Sequence, residues 1–356
     1  MRSALAEKLL AKTMNWTPDE TSRERPLLQA LANFKYDEYQ QFSPGIRFIE
    51  SLVKWLAQFK TVAEKKTAYN FISESLIFIS NDQVAHLVNI TYADKIQPII
   101  IKKTASHIGI NNFWVRKIVK STSYKVILRR SLFIGLSDGS KIDQLRRSTS
   151  RISNEQVLTT YAIADEKIQD MLDELKKSQI SSKFNTVFLI DDFTASGTSY
   201  FRKGEGGWKG KIYKFLKSLI GEAKNAKLFQ VGEKLDIHII FYIATCEALE
   251  KLRANMEIFK TENPEFYFDF TIDAVQVIGS DIKVEVLKNT DFIDLIKSYY
   301  DDSINDSHYK EGKHDEPYLG FNECGLPLIL NHNTPNNSLP ILWYPDDKVK
   351  GLFRLP

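Results

Sequence analysis

Four consecutive apolar residues, Val187, Phe188, Leu189 and Ile190, run directly into two carboxylates, Asp191 and Asp192. The loop that follows is built of small and hydroxyl residues. An unbroken apolar run of this length predicts a strand buried on both faces, the habit of a parallel sheet. Ligands of open α/β sheets sit at the carboxyl ends of strands, where Asp191 and Asp192 fall. Beyond them, Thr194, Ser196, Thr198 and Ser199 supply hydroxyls around Gly197. Small residues let backbone N–H groups approach an anion, and a helix expected from Tyr200 would point its positive end at the same place. Carboxylates accept hydrogen bonds from sugar hydroxyls, and an amide-and-hydroxyl loop cradles a phosphate. A sugar phosphate suits the pair; a triphosphate would be repelled by two carboxylates. The plain alternative is a buried strand closed by an Asx-type turn.

The surrounding pattern predicts an α/β fold. A strand is expected over Ser131 to Leu136, followed by Ser137, Asp138, Gly139, Ser140 and Lys141, then Arg146 and Arg147. That segment reads either as an anion-binding loop or as an Asp-Gly turn with a solvated basic tail. Helices are expected over Asn154 to Leu175, Ile212 to Ile220 and Cys246 to Met256, and strands over Asp236 to Thr245 and within Phe266 to Ile278. RKGEGGWKGK, from Arg202, reads as an exposed loop. Strand, loop and helix repeated in this way favour a parallel sheet with right-handed crossovers.

The chain of 356 residues has room for one large or two modest domains. We expect a helical subdomain over 1–120, an α/β core over 121–300 and an irregular C-terminal cap over 301–356. Within the first, a helix is followed by a polar connection from Thr17 to Pro26, and Ser43 with Pro44 signals a helix start before Ile46, Ile49, Leu52, Val53 and Leu56. TAYNFISESLIFIS continues a helical pattern, and Asn81–Asp82 opens another helix. The spacing of Ser80 to Ile96 fits a helix-turn-helix, as it fits any amphipathic pair. His86 and His107 have no ligand cluster around them. In the tail, Asn331, His332, Asn333, Asn336 and Asn337 crowd a loop ahead of Trp343 and Phe353. Amides beside an aromatic ring suit a nucleobase, and equally suit an irregular cap that uses Asn and Pro for turns.

Net charge is only +3, but residues 101–151 hold 12 Lys or Arg against two acids. Such an excess favours polyanions, so a nucleic-acid partner on this stretch is one reading. Two cysteines, Cys246 and Cys324, are too few for a disulfide framework and point to a reducing compartment. The start is no signal peptide, and no stretch approaches the roughly 20 apolar residues that cross a bilayer. The chain reads as cytoplasmic, without membrane contact.

VFLIDDFTASGTSY resembles the PRPP-binding loop of the type I phosphoribosyltransferases. The resemblance implies that Asp191 and Asp192 hold the ribose 2′- and 3′-hydroxyls and that Ala195 to Ser199, with Thr194, hold the 5′-phosphate. It implies a pyrophosphate loop at Ser137, Asp138, Gly139, Ser140 and Lys141, with Arg146 and Arg147 adding charge, and a flap over Arg146 to Thr160. It also implies Mg²⁺, carried by Asp191 and Asp192 directly or through PRPP hydroxyls. Asn331, His332, Asn333 and Trp343 stand as candidates for the base or acceptor. Purine-using members carry an acid where this chain has Ala195, which argues against purine salvage and leaves His332 as a substitute by type only.

YDEYQQFSPGIRFIESLVKWL, LFIGLSDGSKIDQLRRSTSRISNEQV and CGLPLILNHNTPNNSLPILW extend the likeness. With them the chain resembles the phosphoribosyltransferase-like proteins of bacterial conflict and phage-defence loci (PRTase-CE-like), some of which stand beside a reverse transcriptase. Three functions follow as expectations: a PRPP-dependent transferase or nucleotide-modifying effector, a non-catalytic PRPP or nucleotide sensor, and a nucleic-acid-binding partner protein.

Overall fold

The computed structural model describes residues 3–42, 46–160, 164–177, 183–219, 224–229, 234–305, 309, 312, 315–345 and 348–354. Nine strands occur among them: β1 (Ile77–Ile79), β2 (Ser131–Gly135), β3 (Val157–Leu158), β4 (Thr186–Thr194), β5 (Arg202–Gly204), β6 (Gly207–Lys209), β7 (Leu235–Thr245), β8 (Phe268–Ile278) and β9 (Leu328–Leu330). The chain divides into two units, Ala85–Gly279 and Met1–Val84 with Ser280–Pro356. This differs from the expected boundaries near 120 and 300. The helices Gln97–Ile108 and Thr122–Arg129 pack within the α/β unit, and the C-terminal strand pairs with an N-terminal one.

In the α/β unit five strands form one sheet in the order β3-β2-β4-β7-β8, every pair parallel. Numbered along the chain this is 2-1-3-4-5, a doubly wound order whose direction of winding reverses between β2 and β4. Every residue of β2 is buried, as are Thr186 to Asp191 of β4, which is why their apolar runs show no alternation. Leu132, Val187, Leu189, Ile237 and Phe241 share one core with Met171, Leu175, Phe215, Leu252 and Phe259 from the helices.

Several local expectations change. Strand β4 runs on through Asp191 and Asp192 to Thr194. No helix starts at Tyr200: a turn leads into the antiparallel hairpin β5–β6, and the helix Lys211–Lys217 comes only after it. The expected exposed loop is thus a hairpin, anchored where the Trp208 ring stacks on Phe201 at 4.8 Å. The expected helix Asn154 to Leu175 breaks into a 3-10 turn Asn154–Gln156, edge strand β3 and the helix Asp165–Lys177. Gln156 forces the break. Its buried carboxamide donates to Leu128 O (2.6 Å) and Ser131 O (2.8 Å), which fixes the chain in line for pairing with β2. Part of the expected flap is therefore sheet.

Helical backbone is continuous over Asn81–Thr91, a π segment Tyr92–Ile96 and Gln97–Ile108. Pro98 lacks an N–H and its ring crowds the carbonyl four residues back; the wider π turn relieves that clash. No turn interrupts Ser80 to Ile96, so the helix-turn-helix expectation fails. The helix is capped by Ser80 and Gln83, which exchange side-chain and backbone hydrogen bonds (3.2 and 3.0 Å).

The second unit is helical with its C-terminal segment built in. The expected connection Thr17 to Pro26 is helix, Pro18–Phe34, started by a Thr17–Glu20 capping box. Ser43 and Pro44 lie outside the described residues. Helix Phe48–Leu56 buries Ile49, Leu52 and Leu56 as expected. Beyond helix Val62–Ser75, where helix was expected to continue, β1 pairs in parallel with β9. The tail is not a separate cap. Phe353 packs against Tyr36, Tyr39, Phe42, Phe48 and Phe78, and Trp55 Nε1 donates to Ile341 O at 2.9 Å.

Candidate functional site

The winding reversal brings the loops after β2 and β4 side by side at the carboxyl ends of the strands. Parallel pairing runs from Ser131↔Thr186 to Gly135↔Ile190, and Leu136 N donates to Ile190 O at 2.9 Å. Ser137 Oγ then donates to Asp191 Oδ1. Gly139 lies so close to Asp192 that a Cβ there would collide with its carboxylate. From β7, Tyr242 OH donates to Ser140 O at 2.6 Å and holds the first loop from beneath. The two segments singled out in the sequence thus form one site.

The two carboxylates differ. Asp191 is fully buried. Besides Ser137, it is met at Oδ2 by Tyr200 OH and by Lys211 Nζ, each at 2.9 Å. Burial raises the Asp191 pKa, and the neighbouring Asp192 adds to the rise, against the pull of Lys211 and Ser137. Tyr200 is pushed well above its ordinary value by burial and by the Asp191 and Asp192 charges, so it keeps its proton and donates a hydrogen bond to the carboxylate. Tyr242 is raised by the same causes. Asp192 is half-buried, with Oδ1 accepting from Phe193 N at 2.8 Å.

The loop from Thr194 is braced from within. Gly197 adopts φ +69°, where a side chain is strained, and a Cβ would lie 2.9 Å from Leu252 Cγ. Thr194 Oγ1 accepts from Gly197 N (3.2 Å), and Thr245 Oγ1 donates to Ala195 O (2.7 Å). Thr194, Ala195, Ser196 and Thr198 are buried, whereas Ser199 is exposed. Without a helix at Tyr200, positive charge comes instead from Lys251, on the helix Cys246–Glu262, whose Nζ reaches Thr198 Oγ1 at 3.2 Å.

Of the other expected residues, Lys141 takes a left-handed conformation (φ 44°) and leads into helix Ile142–Arg147, whose last turn carries Arg146 and Arg147. Asp138 is exposed and Ser140 buried. Asn331, His332, Asn333 and Trp343 belong to the helical unit. Asn331 and Trp343 are buried in it, and Trp343 Nε1 donates to Ser338 O at 2.9 Å, so this indole has no open face for a base. His332 is half-buried and Asn333 exposed in a tight turn closed by Leu330 and Asn333. Sequence reading missed Tyr200, Lys211, Tyr242 and Lys251. The hairpin and a separate strand and helix bring them in, and no local motif marks them.

The PRTase-CE family model matches residues 52–354, which include every strand and both loops of the site. The chain belongs to the PRTase-CE family. No curated protein and no solved structure matches it. Family membership supports a phosphoribosyltransferase-like function, and the parallel sheet flanked by helices is compatible with that fold. Among the described residues, no helix of this PRTase-CE protein is long and apolar enough to cross a membrane, and no cluster of three or more His, Cys, Asp or Glu forms a metal cage.

Proposed function

We propose that the site binds PRPP or a related nucleotide and transfers or removes its phosphoribosyl group. The observation that carries this reading is the meeting of Ser137–Lys141 with Asp191–Ser199 at the winding reversal. Asp192, the more exposed carboxylate, holds the ribose hydroxyls. Asp191, whose oxygens are engaged by Ser137, Tyr200 and Lys211, is a positioning residue. The loop Ala195–Ser199 takes the 5′-phosphate, and Ser137–Lys141 with Arg146 and Arg147 takes the pyrophosphate.

In transfer, the C1′–O bond to pyrophosphate breaks and the leaving group keeps the electron pair. The acceptor forms the new bond to C1′. Asp192, close to the ribose, favours the positive charge that develops there. Lys141 and the two arginines take up the leaving charge. Asp192, the accessible carboxylate, would hold Mg²⁺ jointly with ligand oxygens, where the ion would supply neutralising charge for pyrophosphate; Asp191, buried and already engaged, would act only by positioning.

A non-catalytic sensor is the second reading, favoured by Ala195, which offers no base, and by the burial of Asp191. Calorimetric titration of PRPP with Mg²⁺ into wild type and Asp192→Asn, with a pyrophosphate-release assay on mixed acceptors, separates the readings. Binding lost in the variant together with release supports the transferase. Binding without release supports the sensor. No binding overturns both.

The likeness to conflict-locus proteins carries a proposed role in antiphage defence, beside a reverse transcriptase or other proteins of the locus; loss of plaque protection in Asp192→Asn is the expected result. A nucleic-acid partner on residues 101–151 is favoured by exposed Phe113 and Trp114 beside Arg116, Lys117 and Lys120, with Lys117 Nζ 5.4 Å from the Trp114 ring. Such binding would weaken steeply with salt.

A further inference from the structure

Three cations of the basic stretch, Lys125, Arg129 and Arg151, line one cavity of about 390 Å³ together with Tyr124, Ser153 and Glu155. Arg129 ends the helix Thr122–Arg129, two residues before β2, and Gln156 on the cavity wall directly precedes β3. The cavity therefore sits at the amino ends of these strands, whereas the switch-point site sits at the carboxyl ends. The five residues of β2 put roughly 16 Å between them.

Arg129 Nη1 is buried and has no hydrogen-bond partner among the described residues. A buried guanidinium nitrogen without a hydrogen bond is costly, and the rest of this half-buried side chain lends its charge to the cavity wall, where an anion can meet it. Three cations against the Glu155 carboxylate leave an excess of two positive charges on the wall, which matches a phosphomonoester dianion. Glu155 supplies an acceptor for a hydroxyl or amino group on the same ligand, and the volume suits a nucleotide rather than a bare ion.

We propose that this cavity binds a phosphomonoester of nucleotide size at a site separate from the switch-point loops.

AMP and inorganic phosphate serve as probes, titrated calorimetrically into wild type, Asp192→Asn, Arg151→Gln and Arg129→Gln. The Asp192→Asn background isolates the cavity from the switch-point site. The expected result is AMP binding that survives Asp192→Asn and weakens about tenfold or more in Arg151→Gln and in Arg129→Gln, with phosphate binding more weakly than AMP. Arg151 is exposed, so its variant tests the proposal even where Arg129→Gln unfolds. Absence of AMP binding, equal affinity in Arg151→Gln, or loss in Asp192→Asn with Arg151→Gln unaffected would overturn it. Phosphate binding as tight as AMP would overturn the nucleotide-sized ligand, and binding confined to an oligonucleotide would assign these cations to nucleic acid instead. Failure of PRPP binding leaves the cavity untouched, so the two proposals fail separately.

Discussion

Lys211 Nζ lies 2.9 Å from Oδ2 of Asp191, and the aspartate side chain has no exposed surface while the lysine keeps 31% of its own. The pair joins the end of β4 to the helix Lys211–Lys217 across the β5–β6 hairpin. Removing the lysine leaves a buried carboxylate without its cation. Lys211→Met is expected to cost about 2 kcal/mol, below the usual figure for a buried pair because solvent screens the lysine. Adding Asp191→Asn should recover part of that loss. Urea unfolding of the four proteins in a double-mutant cycle measures the coupling, and strict additivity would show that the contact contributes nothing.

Asp191 also sets a pH dependence. Its folded pKa is raised above the ordinary 3.8, so the folded state holds the proton longer than the unfolded chain. Stability contributed by this group therefore falls as pH rises from the ordinary value through the raised one. Asp191→Asn should flatten the unfolding midpoint over that window.

His238, on β7, acts in the opposite sense. Its Nδ1 lies 2.8 Å from Thr271 Oγ1, its buried Nε2 has no partner among the described residues, and burial pulls its pKa down from 6.5 to about 4. The unfolded chain takes up the proton first, so stability is lost as pH falls from 6.5 to about 4, by about 3 kcal/mol in full. His238→Leu should abolish that acid-side slope in urea midpoints.

Gly139→Ala places a methyl against the Asp192 carboxylate. PRPP affinity is expected to fall more than about tenfold while the melting temperature moves by a few degrees at most. Unchanged affinity would show that the two loops do not share a ligand.

Phe353 is fully buried against five aromatic side chains of the N-terminal segment. Phe353→Ala should destabilise the helical unit by about 3–5 kcal/mol in urea unfolding. A loss under about 1 kcal/mol would mean that the tail is peripheral.

What the sequence determined by itself is local. The run Val187–Ile190 had to be a doubly buried strand, Asp191 and Asp192 had to fall near its carboxyl end, and Gly197 marked a backbone bend, because each follows from residue type over a few positions. The strands around Ser131, Asp236 and Phe268 were legible for the same reason. Tertiary structure alone decided the pairing of β1 with β9, about which three-residue strands carry no periodic signal. It also turned the expected helix at Val157 into an edge strand, through the reach of Gln156 to Leu128 and Ser131. Above all it decided which carboxylate stays accessible. Asp191 and Asp192 are chemically identical neighbours, and only the convergence of Ser137, Tyr200 and Lys211 from separate parts of the chain buries the first and leaves the second accessible, because burial is a property of distant partners.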